Sequence, residues 1–321
     1  MSDFSGIIRH MMRRTMFSLL GGSVATVLIG CGPDYSMPLM AGNNQGAVTE
    51  GNALYQEAKQ ADDAGKAKRA AKLYGKTADR YSFIDSAPQA RFRQAELLEQ
   101  LGDVLKAFKA YQEFLTRYQG SGLYSTALNR QAKMAQAAAD GEIKNSFLGL
   151  KTRLDTEKVV EMLTQVIGNA PKTPTASKAR FTIGELYRKD KEPAKAIAAY
   201  RELVRDQPSS PQAPDAMFQI GVVLTEEADR GNQNQATIDM AREAFNDYLN
   251  QYPGHPRNAE AKARIAKLGK RDLQHSFEIA EYYRKAGQFD SAKVYYRDIV
   301  KEAPSGKLHD QAQARLRELG E

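Results

Sequence analysis

The sequence is poor in the residues on which most catalytic and metal-binding sites depend. Among its 321 residues there are one cysteine, four histidines and no tryptophan. A single cysteine cannot form an internal disulfide, and His255, His275 and His309 have no second histidine or cysteine at ligand spacing. There is also no glycine-rich phosphate loop, serine nucleophile elbow or paired-carboxylate motif. The sequence therefore predicts a protein without enzymatic activity, without a metal and without a bound cofactor.

Long apolar runs are also missing. The most apolar stretch, from Met16 to Val27, is about a dozen residues long, whereas about 20 residues are needed to cross a bilayer. It follows the basic residues Arg9, Arg13 and Arg14 and leads into Leu28-Ile29-Gly30-Cys31. A basic start, a short apolar core and a small residue before a cysteine are typical of a lipoprotein signal. We therefore predict a signal peptide over residues 1–30.

The lone cysteine then has a specific role. We predict that Cys31 becomes the first residue of the mature chain and carries a covalent acyl lipid such as palmitate, the one non-protein group expected. Several acyl chains on one residue give stable anchoring. Gly32 follows in place of the aspartate that retains many lipoproteins at the inner membrane. This favours the outer membrane of a Gram-negative cell, with the chain anchored on the periplasmic side. Sec and twin-arginine export both remain open.

The remainder divides into a tether and a folded domain. Residues 31–50 contain glycine, proline, asparagine and serine without a helical period, which predicts a flexible lipid-anchored tether. Residues 51–321 are long enough for a large core or a repeat array. The net charge of +7 comes from 46 basic and 39 acidic residues. Because the two signs are interspersed and the chain is exported, a nucleic-acid partner is not expected.

An internal repeat organises the folded domain. Aligning each unit on one small residue gives three spacings of 37 residues, and the aligned positions are Ala58, Ala95, Ala132, Gly184, Gly221 and Ala280. Large apolar residues recur at fixed offsets from them, and prolines such as Pro208 and Pro304 end units. These offsets resemble those of the tetratricopeptide repeat, whose units must stack to bury their apolar faces. The predicted fold is all-α, a tetratricopeptide-repeat solenoid of about six helix pairs.

Some units are irregular. Residues 141–154 and 229–239 interrupt the third and fifth units, and loops of this length are often functional or disordered. We predict one long helix from Asn258 to Lys285 and a terminal helix from Leu308 to Leu319. No strand pattern of useful length is found.

The repeat position three residues before each aligned small residue is aromatic in five of the six units. These residues are Tyr55, Phe92, Phe181, Phe218 and Phe277. Such a row on the first helices could line a groove for an extended peptide or a partner helix. Alternatively, the rings pack between neighbouring units. On the first interpretation, Tyr55, Phe92 and Phe181 are the candidate substrate-groove residues.

The last third of the chain carries a more specific pattern. Residues 245–253 read Phe-Asn-Asp-Tyr-Leu-Asn-Gln-Tyr-Pro, a long helix follows, and residues 279–283 read Ile-Ala-Glu-Tyr-Tyr. The segment Leu28-Ile29-Gly30-Cys31 is a lipobox, the sequence at which a lipoprotein is cleaved and acylated. Together with this lipobox, the order of residues resembles the BamD family, the lipoprotein subunit of the outer-membrane β-barrel assembly machine. Members often have five repeats, and some carry an Asn-Arg pair where this chain has Val294-Tyr295.

The resemblance implies a function and partners. The C-terminal repeats would dock on the periplasmic domains of the barrel-forming subunit, and the N-terminal repeats would receive unfolded outer-membrane proteins. Phe277, Glu281 and Arg284 are the docking candidates, on the expected exposed side of the last long helix. The implied function is that of a scaffold that assists folding and insertion of outer-membrane proteins.

Two other periplasmic roles fit a repeat lipoprotein. One is assembly of a pilus secretin ring. The other is coordination of peptidoglycan synthesis with envelope constriction, although proteins of that kind usually begin with a coiled coil, for which no heptads precede Gly51.

Overall fold

The computed structural model describes residues 45–147, 150–230 and 235–321. All of them fall in one compact unit, Pro38–Glu321, whereas the predicted signal peptide, Cys31 and most of the predicted tether lie outside the described residues. The described residues confirm the all-α solenoid, with six helix pairs and a terminal helix. The pairs are α1 (Gln45–Asp63) with α2 (Ala67–Arg80), α3 (Ala87–Gln100) with α4 (Val104–Arg117), α5 (Tyr124–Ala139) with α6 (Thr156–Asn169), α7 (Pro174–Lys189) with α8 (Pro193–Asp206), α9 (Ala213–Arg230) with α10 (Gln235–Gln251), and α11 (Asn258–Lys285) with α12 (Phe289–Glu302), followed by α13 (Lys307–Glu318).

Left-handed residues set the turn between the two helices of several pairs. Gly65, Gly102 and Gly287 follow α1, α3 and α11 with φ of 70°, 77° and 74°. Glycine adopts this conformation without steric penalty, so it ends a helix and reverses the chain. In the fourth pair Lys191 holds the same position with φ of 62°, a conformation that is unfavourable for a residue with a Cβ atom.

The two helices of a pair approach each other most closely at the aligned small residues. Ala58, Ala95 and Ala280 are fully buried. A Cβ atom at Gly184 would lie 2.4 Å from the ring of Tyr200, and one at Gly221 would lie 2.7 Å from the ring of Phe245. Glycine is therefore required at both places because the partner ring occupies the space of a side chain.

Large side chains of the second helix fill the core of each unit. The fully buried ones include Tyr111, Tyr200, Tyr248, Tyr296 and Phe245. The burial of such rings supplies much of the packing energy of a unit, since each removes about 150–250 Å² of surface from water.

The third pair departs from this regular packing. Ala132, its aligned small residue, is only half-buried, whereas Met134, Ala135 and Ala138 are buried. The helix α5 runs on to Ala139 before the chain reaches Gly141, two residues later than the equivalent turn of the second pair. Its contacts with α6 are therefore made by a later part of the helix.

Three boundaries differ from the sequence-based expectations. The helix α1 begins at Gln45, so residues 45–50 are helical and not part of a tether. Residues 141–154 contain two short antiparallel strands, β1 (Lys144–Phe147) and β2 (Leu150–Arg153), paired from Lys144 opposite Arg153 to Phe147 opposite Leu150. The sequence analysis did not identify this hairpin, because four-residue strands are too short to leave a period in the sequence. In the fifth pair α10 begins at Gln235, inside the predicted 229–239 loop.

The helical predictions at the C-terminal end agree with the structure. The long helix α11 has the predicted bounds, Asn258–Lys285, and α13 lies within one residue of the predicted terminal helix. Among the described residues, no helix combines the length and apolar character needed to cross a membrane.

Candidate functional site

The row of aromatic residues on the first helices packs inward, against the second helix of the same pair. Ring centroids lie 5.7 Å apart for Tyr55 and Tyr74, 5.7 Å for Phe92 and Tyr111, 5.6 Å for Phe181 and Tyr200, 5.2 Å for Phe218 and Phe245, and 5.7 Å for Phe277 and Tyr296. Three of these contacts are edge-to-face and two are tilted. Aromatic contacts at these distances stabilise the pairs beyond the burial of their area. These five residues thus hold the two helices of each unit together.

Burial separates the three groove candidates. Phe92 is 7% exposed and also contacts Phe114, with 5.6 Å between the ring centroids. Tyr55 and Phe181 are half-buried. Phe92 therefore has little surface to offer a ligand, whereas one side of Phe181 remains accessible.

Buried tyrosine hydroxyls connect this packing to acidic groups of the first helices. Tyr111 Oη donates to Glu99 Oε2 at 3.2 Å, Tyr296 Oη donates to Glu281 Oε1 at 2.6 Å, and Tyr200 Oη donates to Glu185. In the first pair Tyr74 Oη lies 3.5 Å from Asp62 Oδ2. Burial, reinforced by the negative charge of Asp62, raises the pKa of Tyr74 to about 12.

Three of these carboxylates, Asp62, Glu99 and Glu281, also pair with an arginine of the following unit or of the terminal helix. Together with two further ion pairs between first helices, they form what we call the ion-pair ladder. Its N-terminal rungs are Arg93 Nε to Asp62 Oδ2 at 2.7 Å and Arg130 Nη1 to Glu99 Oε2 at 2.9 Å. Its later rungs are Arg188 Nη2 to Glu226 Oε1 at 2.6 Å, Arg271 to Asp229, and Arg315 Nε to Glu281 Oε1 at 2.8 Å. The ladder joins α1 to α3, α3 to α5, α7 to α9, α9 to α11, and α11 to α13. We call the surface formed by these first helices the first-helix face.

One rung is missing, between the third and fourth units. In the earlier rungs the acid lies four residues after the aligned small residue, and the arginine lies two residues before the next one. Gln136 and Thr182 occupy these positions on α5 and α7. Within the residues described, no ion pair or side-chain hydrogen bond joins α5 to α7.

A hollow of about 670 Å³ opens at this gap, and we call it the junction hollow. The helix α5 contributes Gln136 and Ala139 to it, and Asp140 directly follows this helix. The helix α7 and the turn after it contribute Phe181, Thr182, Glu185, Leu186, Arg188, Lys189 and Lys191, and α9 contributes Glu226 and Arg230. Its volume lies within the usual range of ligand sites, about 300–1,000 Å³.

The junction hollow combines apolar and cationic surface. Phe181, Leu186 and Ala139 supply the apolar part, and Lys189, Lys191 and Arg230 are exposed at its edge. Arg188 is held by Glu226 and Glu185, which raise its pKa and fix its position. Such a lining can accept an apolar side chain together with a polar or anionic backbone group of an extended peptide.

The three residues predicted for docking are half-buried and not exposed, so the expected exposure is not observed, whereas their role in docking stays a prediction. Phe277 packs on Tyr296, and Glu281 accepts hydrogen bonds from Tyr296, Arg284 and Arg315. The hydrogen bonds, that of Arg284 first, hold the pKa of Glu281 at about 2. Phe277 and Glu281 therefore join α11 to α12, and Glu281 also joins it to α13, whereas Arg284 bonds to Glu281 on the same helix.

Exposed apolar side chains in the last pair lie elsewhere. Tyr282 is 69% exposed, and Phe289 and Val294 are each 51% exposed. The Tyr282 ring contacts Tyr283, which stacks on Tyr295 with 5.7 Å between ring centroids. Tyr282, Phe289 and Val294 therefore form the accessible apolar surface of the last pair, whereas Phe277, Glu281 and Arg284 do not contribute to it.

The sequence reasoning missed two groups of residues. One is the junction hollow, which comparison of the ladder positions across the aligned units would have shown. The other is the pair of buried arginines Arg91 and Arg180, at the position that tryptophan usually fills in this repeat. Arg91 contacts Asp79 and Glu113, and Arg180 lies near Asp206.

Among the residues that the structure describes, no group of three histidine, cysteine or acidic side chains is arranged to hold a metal ion.

Comparison with known proteins agrees with the repeat architecture. The tetratricopeptide repeat family matches residues 42–122. Similar solved structures include PilF of Pseudomonas aeruginosa, with 15% identity, coverage of 84% of this chain and 99% of that chain, and a TM-score of 0.32. A thermophilic tetratricopeptide-repeat protein of Thermus thermophilus shows 14% identity, coverage of 68% and 98%, and a TM-score of 0.31. TM-scores this low carry no argument about function, and no curated protein matches the chain.

The family match is more specific. The family described as outer membrane lipoprotein, YfiO, matches residues 149–319. This range covers the last three helix pairs, the second strand and α6, and it includes the Ile-Ala-Glu-Tyr-Tyr segment on which the resemblance was based. Because the match extends over more than half of the 321 residues, the chain belongs to the YfiO family of outer membrane lipoproteins, the BamD family.

Proposed function

We propose that this protein is an adaptor of outer-membrane protein assembly, anchored by acylated Cys31 on the periplasmic side of the outer membrane. It acts through protein contacts and not through catalysis. Unfolded outer-membrane proteins bind the first-helix face, and the barrel-forming subunit of the assembly machine binds the last helix pair. Membership of the outer membrane lipoprotein family supports this assignment.

The junction hollow is the observation that carries the substrate-binding part of the proposal. Elsewhere along the first-helix face, charged groups satisfy one another across neighbouring helices. At the hollow, the half-buried ring of Phe181 and the exposed cations Lys189 and Lys191 have no such partners across the gap among the residues described. An extended chain that is released from its own fold offers apolar side chains and unpaired carbonyl groups, which fit this surface.

Site-specific photo-crosslinking tests the substrate contact. A photoreactive side chain at Thr182, in the hollow, is expected to capture a urea-denatured outer-membrane protein diluted into buffer. The same group at Lys262, an exposed position on α11, is the matched control. Capture at both positions to the same extent, or at neither, contradicts a substrate site in the hollow.

The exposed apolar residues of the last pair support the docking part of the proposal. Tyr282 and Phe289 expose large side chains, and aromatic residues are enriched where protein partners bind. We expect the double change Tyr282→Ser and Phe289→Ser to release the barrel-forming subunit. Met240→Ser is the control, because Met240 is also 47% exposed but lies on α10.

Purification of the lipidated protein from membranes in mild detergent tests the function as a whole. The expected result is stoichiometric recovery of a large β-barrel protein with periplasmic domains. Recovery of a pilus secretin or a peptidoglycan synthase in its place contradicts the proposal while leaving the fold and family intact. Mass spectrometry of the same preparation is expected to show acyl chains on Cys31.

A further inference from the structure

The second helices of the first two units carry an unusual excess of positive charge. The helix α2 has five basic residues and one acidic residue, and α4 has three basic and one acidic. By contrast, α10 has one basic and three acidic residues, and in α12 the two signs balance. The helix α6 has one basic and two acidic residues, and α8 has three basic and two acidic. The excess is therefore largest at the N-terminal end of the solenoid.

Several of these lysines lie together. Lys68 and Lys72 of α2 and Lys106 and Lys109 of α4 line one hollow of about 490 Å³ between the two helices. All four side chains are exposed. We call this group the lysine patch. Along α2, Lys76 and Arg80 extend the same row at intervals of four residues, a spacing that places like charges side by side on one helix face.

The acidic groups nearby neutralise only one of the four patch lysines, Lys106. Asp79 and Glu113, which line the same hollow, are both paired with the buried Arg91. Asp103 is 3.3 Å from Lys106. No ion pair or hydrogen bond to Lys68, Lys72 or Lys109 is found in the part of the chain that the structure describes. A row of like charges disfavours the helix that carries it, so these lysines are suited to an external anionic partner.

The position of the patch along the chain indicates which partner. The helix pair α1–α2 is the first of the solenoid, and only thirteen residues, 32–44, lie between Cys31 and Gln45. A chain of that length spans at most about 50 Å even when fully extended. If Cys31 is acylated, as the proposed function holds, a tether of this length allows α2 to reach the bilayer surface. Clusters of lysine next to a membrane attachment point bind anionic headgroups, and the attraction acts within about one Debye length.

We propose that the lysine patch on α2 and α4 binds the anionic phospholipid surface of the membrane that anchors the chain. The contact turns the second helices of the first two units towards the bilayer. It thereby leaves the first-helix face and the C-terminal pairs available to protein partners. The inference rests on the membrane anchoring in the proposed function but not on the identity of the partner.

Vesicle binding by the unacylated polypeptide Gly32–Glu321, which contains the whole compact unit, isolates the patch from the lipid anchor. We expect it to cosediment with vesicles of phosphatidylcholine and phosphatidylglycerol but not with vesicles of phosphatidylcholine alone. Binding should disappear at about 1 M salt, where the Debye length is about 3 Å. Changing Lys68, Lys72, Lys106 and Lys109 to glutamine should weaken binding at least tenfold, because each lysine near an anionic surface contributes about a further fivefold.

A matched control changes four other exposed lysines, Lys262, Lys267, Lys301 and Lys307, to glutamine. This control removes the same amount of positive charge as the patch variant. If the patch, and not the net charge, is responsible for binding, the vesicle affinity of the control should stay within about twofold of that of the unchanged polypeptide. Unchanged thermal midpoints of both variants would show that folding is intact. Equal losses in the two variants, or no binding of the unchanged polypeptide to anionic vesicles, would overturn the inference.

The result can be separated from failure of the proposed function. The patch variant of the full lipidated chain, purified from membranes, should still recover the barrel-forming subunit, since the patch lies far along the chain from the last pair. Loss of vesicle binding with recovery intact supports the inference. Failure of the unchanged lipidated chain to recover that subunit contradicts the proposed function, while the vesicle result still decides the patch.

Discussion

The junction between the third and fourth units differs from the junctions on either side of it. Where the second unit meets the third, Arg130 of α5 pairs with Glu96 and Glu99 of α3. Where the fourth meets the fifth, Arg188 of α7 pairs with Glu226 of α9. Between them, Gln136 and Thr182 stand where an acid and an arginine would complete the ladder, and a hollow of about 670 Å³ is present.

The difference shows how an insertion within a repeat opens a surface. The spacing of aligned residues rises from 37 to 52 residues at this point, because the β1–β2 hairpin is inserted between α5 and α6. The stack continues through α6 and α7. Without a rung, however, the side chains of α5 and α7 facing the gap are available to a ligand.

The largest predicted effect separates the buried rings from the accessible one. Phe92→Ala should reduce the free energy of unfolding by about 3–5 kcal/mol, since the ring is buried against Tyr111 and Phe114. Phe181→Ala, at the junction, should cost only about 1–2 kcal/mol because part of that ring is already exposed. Urea unfolding followed by circular dichroism measures both. Equal losses would mean that the junction is packed as tightly as its neighbours.

The last rung of the ladder should be sensitive to acid. The pKa of Glu281 falls from 4.5 to about 2 on folding, so the folded state favours the ionised form. Its contribution to stability is present above the unfolded pKa of 4.5 and is lost as the pH falls towards 2, and solvent screening keeps the total below about 3 kcal/mol. Glu281→Gln should lower stability at neutral pH and flatten this acid dependence.

The control for Glu281 lies on the same helix. Glu278 is exposed and does not contact α12 or α13 in the hydrogen bonds that the structure shows. Glu278→Gln should therefore leave the acid dependence of unfolding as it is. A flattened profile in this variant would assign the effect to some other property of α11.

Close packing on the C-terminal side of the junction can be tested at Gly184. A Cβ atom there would lie 2.4 Å from Tyr200 Cε1, so Gly184→Ala should destabilise the fold by about 1–2 kcal/mol after the helix-propensity gain of alanine is included. Gly269→Ala on α11 meets nothing within 4 Å and should stabilise by about 0.5–1 kcal/mol. If Gly184→Ala and Gly269→Ala shift the thermal midpoint in the same direction, the close contact between residue 184 and Tyr200 is disproved.

The smallest effect on stability is expected from restoring the missing rung. Gln136→Glu with Thr182→Arg places the acid and the arginine at the positions that they occupy in the first two rungs. A double-mutant cycle should give a coupling energy of about 0.2–1 kcal/mol, the range of exposed ion pairs. Because both side chains line the junction hollow, the pair should also lower the capture of denatured outer-membrane protein more than either single change does. A coupling energy of zero would show that the longer α5 places residues 136 and 182 too far apart to form an ion pair.

The sequence was sufficient to predict the helices and their pairing but not all of their boundaries. The bounds of α11 agree with the prediction because helix formers continue from Asn258 to Lys285 with a clear end at the following turn. The start of α1 was placed six residues late, since Gly46 and the nearby polar residues resemble a linker locally. The hairpin was missed because each strand has only four residues.

The candidate site was less predictable than the fold. The aromatic row was visible in the sequence, but an aromatic residue at helical spacing has the same pattern whether it faces a groove or a partner helix. Only the ring contacts, such as 5.7 Å between the centroids of Phe277 and Tyr296, showed that the row faces inward. Glu281 was similarly placed on the wrong side, because sequence spacing does not reveal that α12 and α13 cover it.

The sequence by itself determined the repeat, the all-α architecture and the lipobox at Cys31, because each depends on residue types at fixed spacings along the chain. The tertiary structure alone decided which side chains are buried between helices and which remain accessible. The ion-pair ladder, the junction hollow and the lysine patch each join residues from different helices, and their positions follow from how the units stack. Stacking depends on the length of every turn and insertion, such as the hairpin between α5 and α6, so a difference of a few residues closes one surface and opens another.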